Sequence, residues 1–333
     1  MNVLTITVGP TGSCLAYGQC SDCVVQTPPK EFASLTDYEE QNHVKASFDD
    51  VYTAPTPHGY LQNMTAVDYR MADLMNPFVS AVVDASATTD GPVKVLDVGC
   101  SYGMSGALLK TNCAYGDLAE FYRDEASPEF SACVTETRRW LGSRSQREDV
   151  EVVGFDSSEP AIKFAAASNM IDAGIACNLE AHESQLTLAE RSLVQQCDVL
   201  LSTGAIGYVT DRTVGPLLEE FGHGGHGALG PVAIISVLEL FDPEPIARSF
   251  TDHGFRFGPL SVRLPQRRFA DEAERRGVIG TLQQRGLPTA AQESENTMFA
   301  NLWIAAQPDK FQELTHCLIE THDEVSAPPL AGC

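Results

Sequence analysis

The residues best placed to do chemistry lie in one short stretch, Val93 to Leu109, which reads V-K-V-L-D-V-G-C-S-Y-G-M-S-G-A-L-L. Gly99, Cys100, Ser101 and Gly103 form a glycine-rich turn. An apolar run ending in Asp97-Val98 precedes it, and a small-residue segment that opens a helix follows. Glycine suits a place where a strand turns sharply and a ligand approaches bare backbone, because a Cβ would fill that space. Strand–turn–helix patterns of this kind open many nucleotide-binding α/β folds. Gly99, Gly103 and Gly106 fall on G-x-x-x-G-x-x-G, so this is not the dinucleotide fingerprint G-x-G-x-x-G, and no Gly-Lys-Ser/Thr follows to make a phosphate loop.

A second chemical signal is an acid at a strand end. Val150 to Phe155 reads V-E-V-V-G-F and stops at Asp156. A carboxylate there can accept two hydrogen bonds from ribose hydroxyls. Asp equally suits a helix N-cap, and both roles can hold at once. Asp156 lies 53 residues beyond Gly103, where a compact fingerprint has about 20. An insertion over about 111–149 is therefore expected, helical at Tyr115–Arg123 and Ser131–Leu141. A third signal is a run of tyrosines near prolines, Tyr52, Tyr60 and Tyr69, whose rings could attract a cation or simply fill a core. Cys14, Cys20 and Cys23 include one C-x-x-C, but no second pair or close His completes a metal set, and no metal is expected. The H-G-G-H run at His223–His226 reads as a surface loop.

These residues need a scaffold, and beyond the glycine turn strand and helix signals alternate as a parallel sheet with crossovers requires. Strands are expected at Val93–Val98, Val150–Phe155, Ile175–Leu179, Cys197–Thr203 and Pro231–Leu240, the last nearly all apolar as befits a strand buried on both faces. A helix is expected over Glu159–Ala173, ended by Gly174. Another is expected to start at Asn76 as its cap, with Pro77 in first position. Two closing strands are expected at Leu260–Leu264 and Phe299–Ala305, joined by a polar connection broken at Gly277, Gly280, Gly286 and Pro288.

The line Leu96-Asp97-Val98-Gly99-Cys100-Ser101-x-Gly103 resembles motif I of the class I S-adenosylmethionine-dependent methyltransferases, and the resemblance extends over about Leu35 to Gln307. It implies an α/β fold: a Rossmann-like, seven-stranded doubly wound sheet with a terminal antiparallel hairpin, here with an N-terminal helical cap. The implied organisation is a flexible arm over 1–30, a helical lid over 31–90, the methyltransferase domain over 91–310 with the insertion at 111–149, and a C-terminal helix and tail over 311–333.

The implied cofactor is S-adenosyl-L-methionine. Asp97, Gly99, Cys100, Ser101, Gly103, Asp156 and Ser157 are expected to hold it. The resemblance sets Asn178 and Leu179 (with Glu180 as an alternative to Asn178) against adenine. Thr203 and Gly204 fall beside the methionine portion, and Tyr60 and Tyr69 near the sulfonium. Methyl transfer mainly needs alignment and exclusion of water. A base is needed only if the nucleophile arrives protonated, and His58, Tyr208 and Glu239 are the candidates.

The chain has 22 Lys and Arg against 45 Asp and Glu, a net charge of −23. That balance argues against a nucleic-acid partner, which draws on clustered cations. Arg138-Arg139 and the stretch Arg263–Arg276 read as solvated faces. No apolar run approaches the roughly 20 residues that span a bilayer. No signal-peptide pattern opens the chain. The expected setting is cytoplasmic, in specialised metabolism, with a small-molecule substrate and, as an open option, a homodimer. A nicotinamide-dependent oxidoreductase and a non-catalytic nucleoside-binding protein are the alternatives.

Overall fold

Alternation along the strands explains the sheet. In β1 (Val93–Val98), Val93 and Val95 enter one buried cluster while Leu96 and Val98 enter another. β2 (Val150–Asp156) divides Val150 and Val152 from Val153 and Phe155 in the same way. Strands apolar on both faces need cover on both faces, and helices supply it. The computed structural model describes residues 38, 41–45, 49–224 and 227–326. The arm expected over 1–30, with its cysteines, and His226 lie outside them.

β3 (Ala173–Ala176), β4 (Val199–Ser202) and β5 (Val232–Leu238) extend the parallel part of the sheet. β6 (Arg256–Arg268) and β7 (Thr297–Ala306) close it as an antiparallel hairpin, with β7 also antiparallel to β5. The order is β3-β2-β1-β4-β5-β7-β6, the doubly wound seven-stranded fold that the resemblance implies. From β1 the chain moves outward through β2 and β3, then returns to place β4 on the other flank of β1. The loops after β1 and β4 therefore part at a topological switch point, where such sheets leave a crevice for ligands.

The helices used below are α1 (His58–Ala66), α2 (Met71–Ser86), α3 (Met104–Thr111), α4 (Tyr115–Asp124) and α5 (Phe130–Gly142) before β2. After it come α6 (Glu159–Ala167), α7 (Leu188–Gln195), α8 (Asp211–Glu220), α9 (Glu244–Asp252), α10 (Glu272–Gln284), α11 (Ala290–Glu295) and α12 (Phe311–Ser326).

Several boundaries differ from the sequence reading. α2 begins at Met71 and runs through Pro77, because Met71, Met75, Phe78, Val79, Val82 and Val83 make one continuous buried stripe. Burial of that stripe outweighs the roughly 3 kcal/mol an interior proline costs. α6 stops at Ala167, and Asn169 turns left-handed at φ 63°. Gly174, read as the end of that helix, instead sits inside β3, where a Cβ would lie 2.6 Å from Ile162 Cγ2. β6 is more than twice its expected length. It is an edge strand with two irregularities, which accommodates Pro259 and Pro265. The polar connection after it folds into α10 and α11.

Candidate active site

The glycine turn is built by close packing before it meets any ligand. Gly99, Ser101 and Gly103 have φ of 76°, 51° and 78°, all left-handed. A Cβ on Gly99 would lie 2.3 Å from Ala205 Cβ, and one on Gly103 would crowd Ile171, Met170 and Ala165 at 3.0–3.2 Å. The spacing read as room for a ligand is thus first a demand of the loops and helices at the switch point. Gly99 and Cys100 N–H groups donate to Phe155 O at 2.8 and 3.2 Å, tying the turn to β2.

Asp156 completes the turn. Its Oδ2 accepts from Ser101 N and its Oδ1 from Ser158 N, both at 2.9 Å. The helix cap itself is Ser158, whose Oγ accepts from Ala161 N. Each carboxylate oxygen keeps lone-pair capacity for a further donor, and Asp156 stands on the cavity wall.

That cavity has a volume of about 380 Å³ and lies at the switch point. Of the expected site residues, Gly99, Cys100, Ser101, Asp156, Ser157, Asn178, Leu179, Thr203, Gly204, Tyr60, Tyr69 and Tyr208 line it. Gly103 and Asp97 do not; Gly103 packs on α6 and the turn after it, and Asp97 is 1% exposed. Glu180 also lines the cavity, but its carboxylate is engaged by Thr210 N, Thr210 Oγ1 and Thr213 Oγ1 at the start of α8. Asn178 Oδ1 accepts from Glu180 N, at 3.2 Å.

The three base candidates separate. His58 opens α1, whose buried face carries Tyr60, Leu61 and Met64. Its ring nitrogens meet Thr56 Oγ1 and Ala126 O at 3.1 and 3.2 Å, away from the cavity. Glu239 is also away from it, clamped by Arg263 at 2.6 and 2.9 Å and by Gln292 Nε2 at 2.6 Å. Only Tyr208 reaches the cavity, at its mouth, 45% exposed, with the Lys45 ammonium 4.3 Å from its ring centroid.

Burial dominates the electrostatics. It pushes the Asp97 carboxyl up to about 7, with Asp156 adding to the shift. Asp156 is also raised by burial, against the pull of the Ser158, Ser101 and Ser157 N–H groups. The Tyr60, Tyr69 and Cys100 groups are held well above their ordinary values by burial. Among the described residues, buried side-chain atoms without a hydrogen-bond partner include Ser101 Oγ, Thr203 Oγ1 and Gln266 Oε1 on the cavity wall and Asp97 Oδ2 beside it. Each such atom costs about 1–3 kcal/mol unless something pairs with it, so their gathering here fits a polar ligand.

Sequence reasoning missed Lys45, Met64, Met104, Gln266 and Arg267, all on the cavity wall. The Arg263–Arg276 stretch is not a solvated face throughout. Arg267 and Glu274 are 5% and 4% exposed and form a two-bond ion pair at 2.6 and 2.9 Å. The signal was present, since Leu260, Val262, Leu264 and Gln266 alternate along β6 and all four are buried. Gln266 continues the inward face one step past the apolar run.

No protein-family model matches the chain, and no curated protein matches it in sequence. Solved structures with a similar fold include several methyltransferases and the [4+2]-cyclase SpnF, which is 12% identical over 69% of this chain and 80% of its own, with a TM-score of 0.33. A TehB-like S-adenosylmethionine-dependent methyltransferase from Corynebacterium glutamicum is 12% identical over 74% of this chain and 94% of its own, with a TM-score of 0.36. The plantazolicin methyltransferase BpumL, bound to S-adenosylhomocysteine (SAH), is 14% identical over 82% and 96%, at 0.37. The magnesium protoporphyrin IX methyltransferase of Synechocystis PCC 6803, also with SAH, is 12% identical over 82% and 94%, at 0.34. Similarity this distant leaves the site's chemistry to this chain's own residues.

Proposed function

We propose that the protein is an S-adenosylmethionine-dependent methyltransferase acting on a small molecule. The observation that carries the proposal is the meeting of four successive strand ends at one cavity. β1 contributes Gly99–Ser101, β2 Asp156, the turn after β3 Asn178 and Leu179, and β4 Thr203 and Gly204. The donor set fits the cofactor. Asp156 can accept from ribose hydroxyls, Asn178 can pair with the adenine edge while Leu179 packs on the ring, and the orphaned Ser101 and Thr203 hydroxyls can meet the polar methionine end. When bound, the cofactor supplies an electrophilic methyl group on a sulfonium. The chain's own residues bind, orient and exclude water. Tyr69 stands at the Thr203–Gly204 end and Tyr60 also lines the cavity, their rings suited to a sulfonium.

The finer parts of the proposal are a cytoplasmic setting and a place in specialised metabolism. Six described cysteines, all free, support the first. Calorimetry with SAH and with NAD tests the reading. SAH is expected to bind and NAD not, and the reverse would replace methyl transfer with hydride transfer. Asp156→Ala is expected to weaken SAH binding by about 1–3 kcal/mol; an unchanged affinity would remove the ribose assignment.

A further inference from the structure

We infer that Ser236, a buried hydroxyl on β5 that is not itself on the cavity wall, is a positioning residue for the turn that meets the methionine end of the cofactor. The inference rests on the methyl-transfer reading and adds to it how that end of the site is held. β5 reads V-A-I-I-S-V-L, is buried throughout and carries Ser236 as its one polar side chain. A hydroxyl in such a strand needs a partner. Ser236 Oγ accepts from Gly204 N at 2.7 Å and donates to Ser202 O at the long distance of 3.5 Å. The ladder between β4 and β5 ends at Ser202 and Ile235, so Gly204 N has already left it. Ser236 supplies the acceptor that this part-buried amide requires.

A second serine ties the same turn from the other side. Ser202, 1% exposed, donates from Oγ to Val98 O at 3.1 Å, and Val98 leads directly into Gly99. Thr203 therefore lies between two anchored residues, and its own hydroxyl, buried on the cavity wall, is without a partner. Room on either side is small. A Cβ on Gly204 would lie 2.9 Å from Tyr69 Oη, and one on Gly99 would lie 2.3 Å from Ala205 Cβ. Gly204 and Ala205 are thus wedged between Tyr69 and the Gly99 turn.

With Ser236 cut back to alanine, the Gly204 N–H loses its acceptor, and the turn must shift to pair it again. In a closely packed wedge that shift carries Thr203 with it. The adenosine half of the cofactor is assigned to Asp156, Asn178 and Leu179, and the bonds of Ser202 and Ser236 reach none of these.

The test compares SAH with 5′-methylthioadenosine, which keeps the adenosine and the sulfur but lacks the amino-acid end. Both are titrated into the full chain in a calorimeter, well below the thermal midpoint. Ser236→Ala is expected to weaken SAH binding roughly tenfold and to leave methylthioadenosine affinity within about twofold of the parent's. Ser168→Ala controls for loss of a buried hydroxyl as such. Ser168 is 0% exposed and donates to Phe164 O at 2.7 Å, at the end of α6. Its removal is expected to lower the thermal midpoint and to leave both affinities unchanged. Unchanged SAH affinity in Ser236→Ala, an equal loss for the two ligands, or the same SAH loss in Ser168→Ala would each overturn the inference. Failure of the parent to bind SAH would instead remove the methyl-transfer reading.

Discussion

At the scale of single residues, the site owes most to side chains that are buried at a cost. Asp97 shows it, with Oδ2 unpartnered and its carboxyl pushed up to about 7 by burial. The native state therefore holds a proton that the unfolded chain releases in the ordinary carboxylate range. The contribution of Asp97 to stability is present below that range and is lost as pH rises toward 7. Asp97→Asn is expected to stabilise the ligand-free protein at about pH 8 by on the order of a few kcal/mol and to confer no such gain near pH 4. Urea denaturation at the two pH values checks this. Gly99 makes a second case. Gly99→Ala sets a Cβ 2.3 Å from Ala205 Cβ in a backbone at φ 76°. It is expected to cost roughly 1–3 kcal/mol. Adding Ala205→Gly should recover the steric part and leave the strain, and a double-mutant cycle by denaturation separates them.

At the scale of elements, β6 and α10 show how a locally polar stretch becomes interior. Asp271 caps α10 by accepting from Glu274 N at 2.8 Å, so D-x-x-E at 271–274 is a legible helix start inside the stretch read as a connection. Glu274 then turns to Arg267 and to Ala270 N at 2.7 Å instead of back to the cap residue. Glu274→Gln leaves a buried guanidinium without its counter-charge, and a loss of about 3–5 kcal/mol is expected. A fall in thermal midpoint with the α/β circular-dichroism signature retained is the measurement. Arg263 is the contrasting case. It is 37% exposed and pairs with Glu239 away from the cavity, and its removal is expected to cost no more than about 1 kcal/mol. Sequence patterning separated neither pair, because burial of an arginine depends on which strand becomes its neighbour.

At the scale of the whole molecule, the ligand and the net charge both act on stability. If SAH binds only the folded chain, a hundredfold excess over Kd adds about 2.7 kcal/mol. The thermal midpoint should rise accordingly for the parent and much less for Asp156→Ala at the same concentration. The net charge of −23 implies self-repulsion that salt screens. Melts in low and moderate salt are expected to show a rising midpoint, and a flat or falling one would show the acids to be locally compensated.

The sequence by itself determined the sheet and most of the turns that line the cavity. The apolar runs of β1, β2, β4 and β5, the left-handed demand of Gly99 and Gly103, and the acid closing V-V-G-F are local consequences of backbone sterics and burial. They are legible without knowing what lies across the space. Only the tertiary structure decided which tyrosines face the cavity, that His58 and Glu239 do not, and that Gln266 and Arg267 do. Each of those depends on a neighbour remote in the chain: Ala126 for His58, Arg263 and Gln292 for Glu239, Gly204 and Tyr69 for Gln266. Residue types and spacing carry the backbone's own geometry; long-range packing alone chooses which polar groups share a pocket.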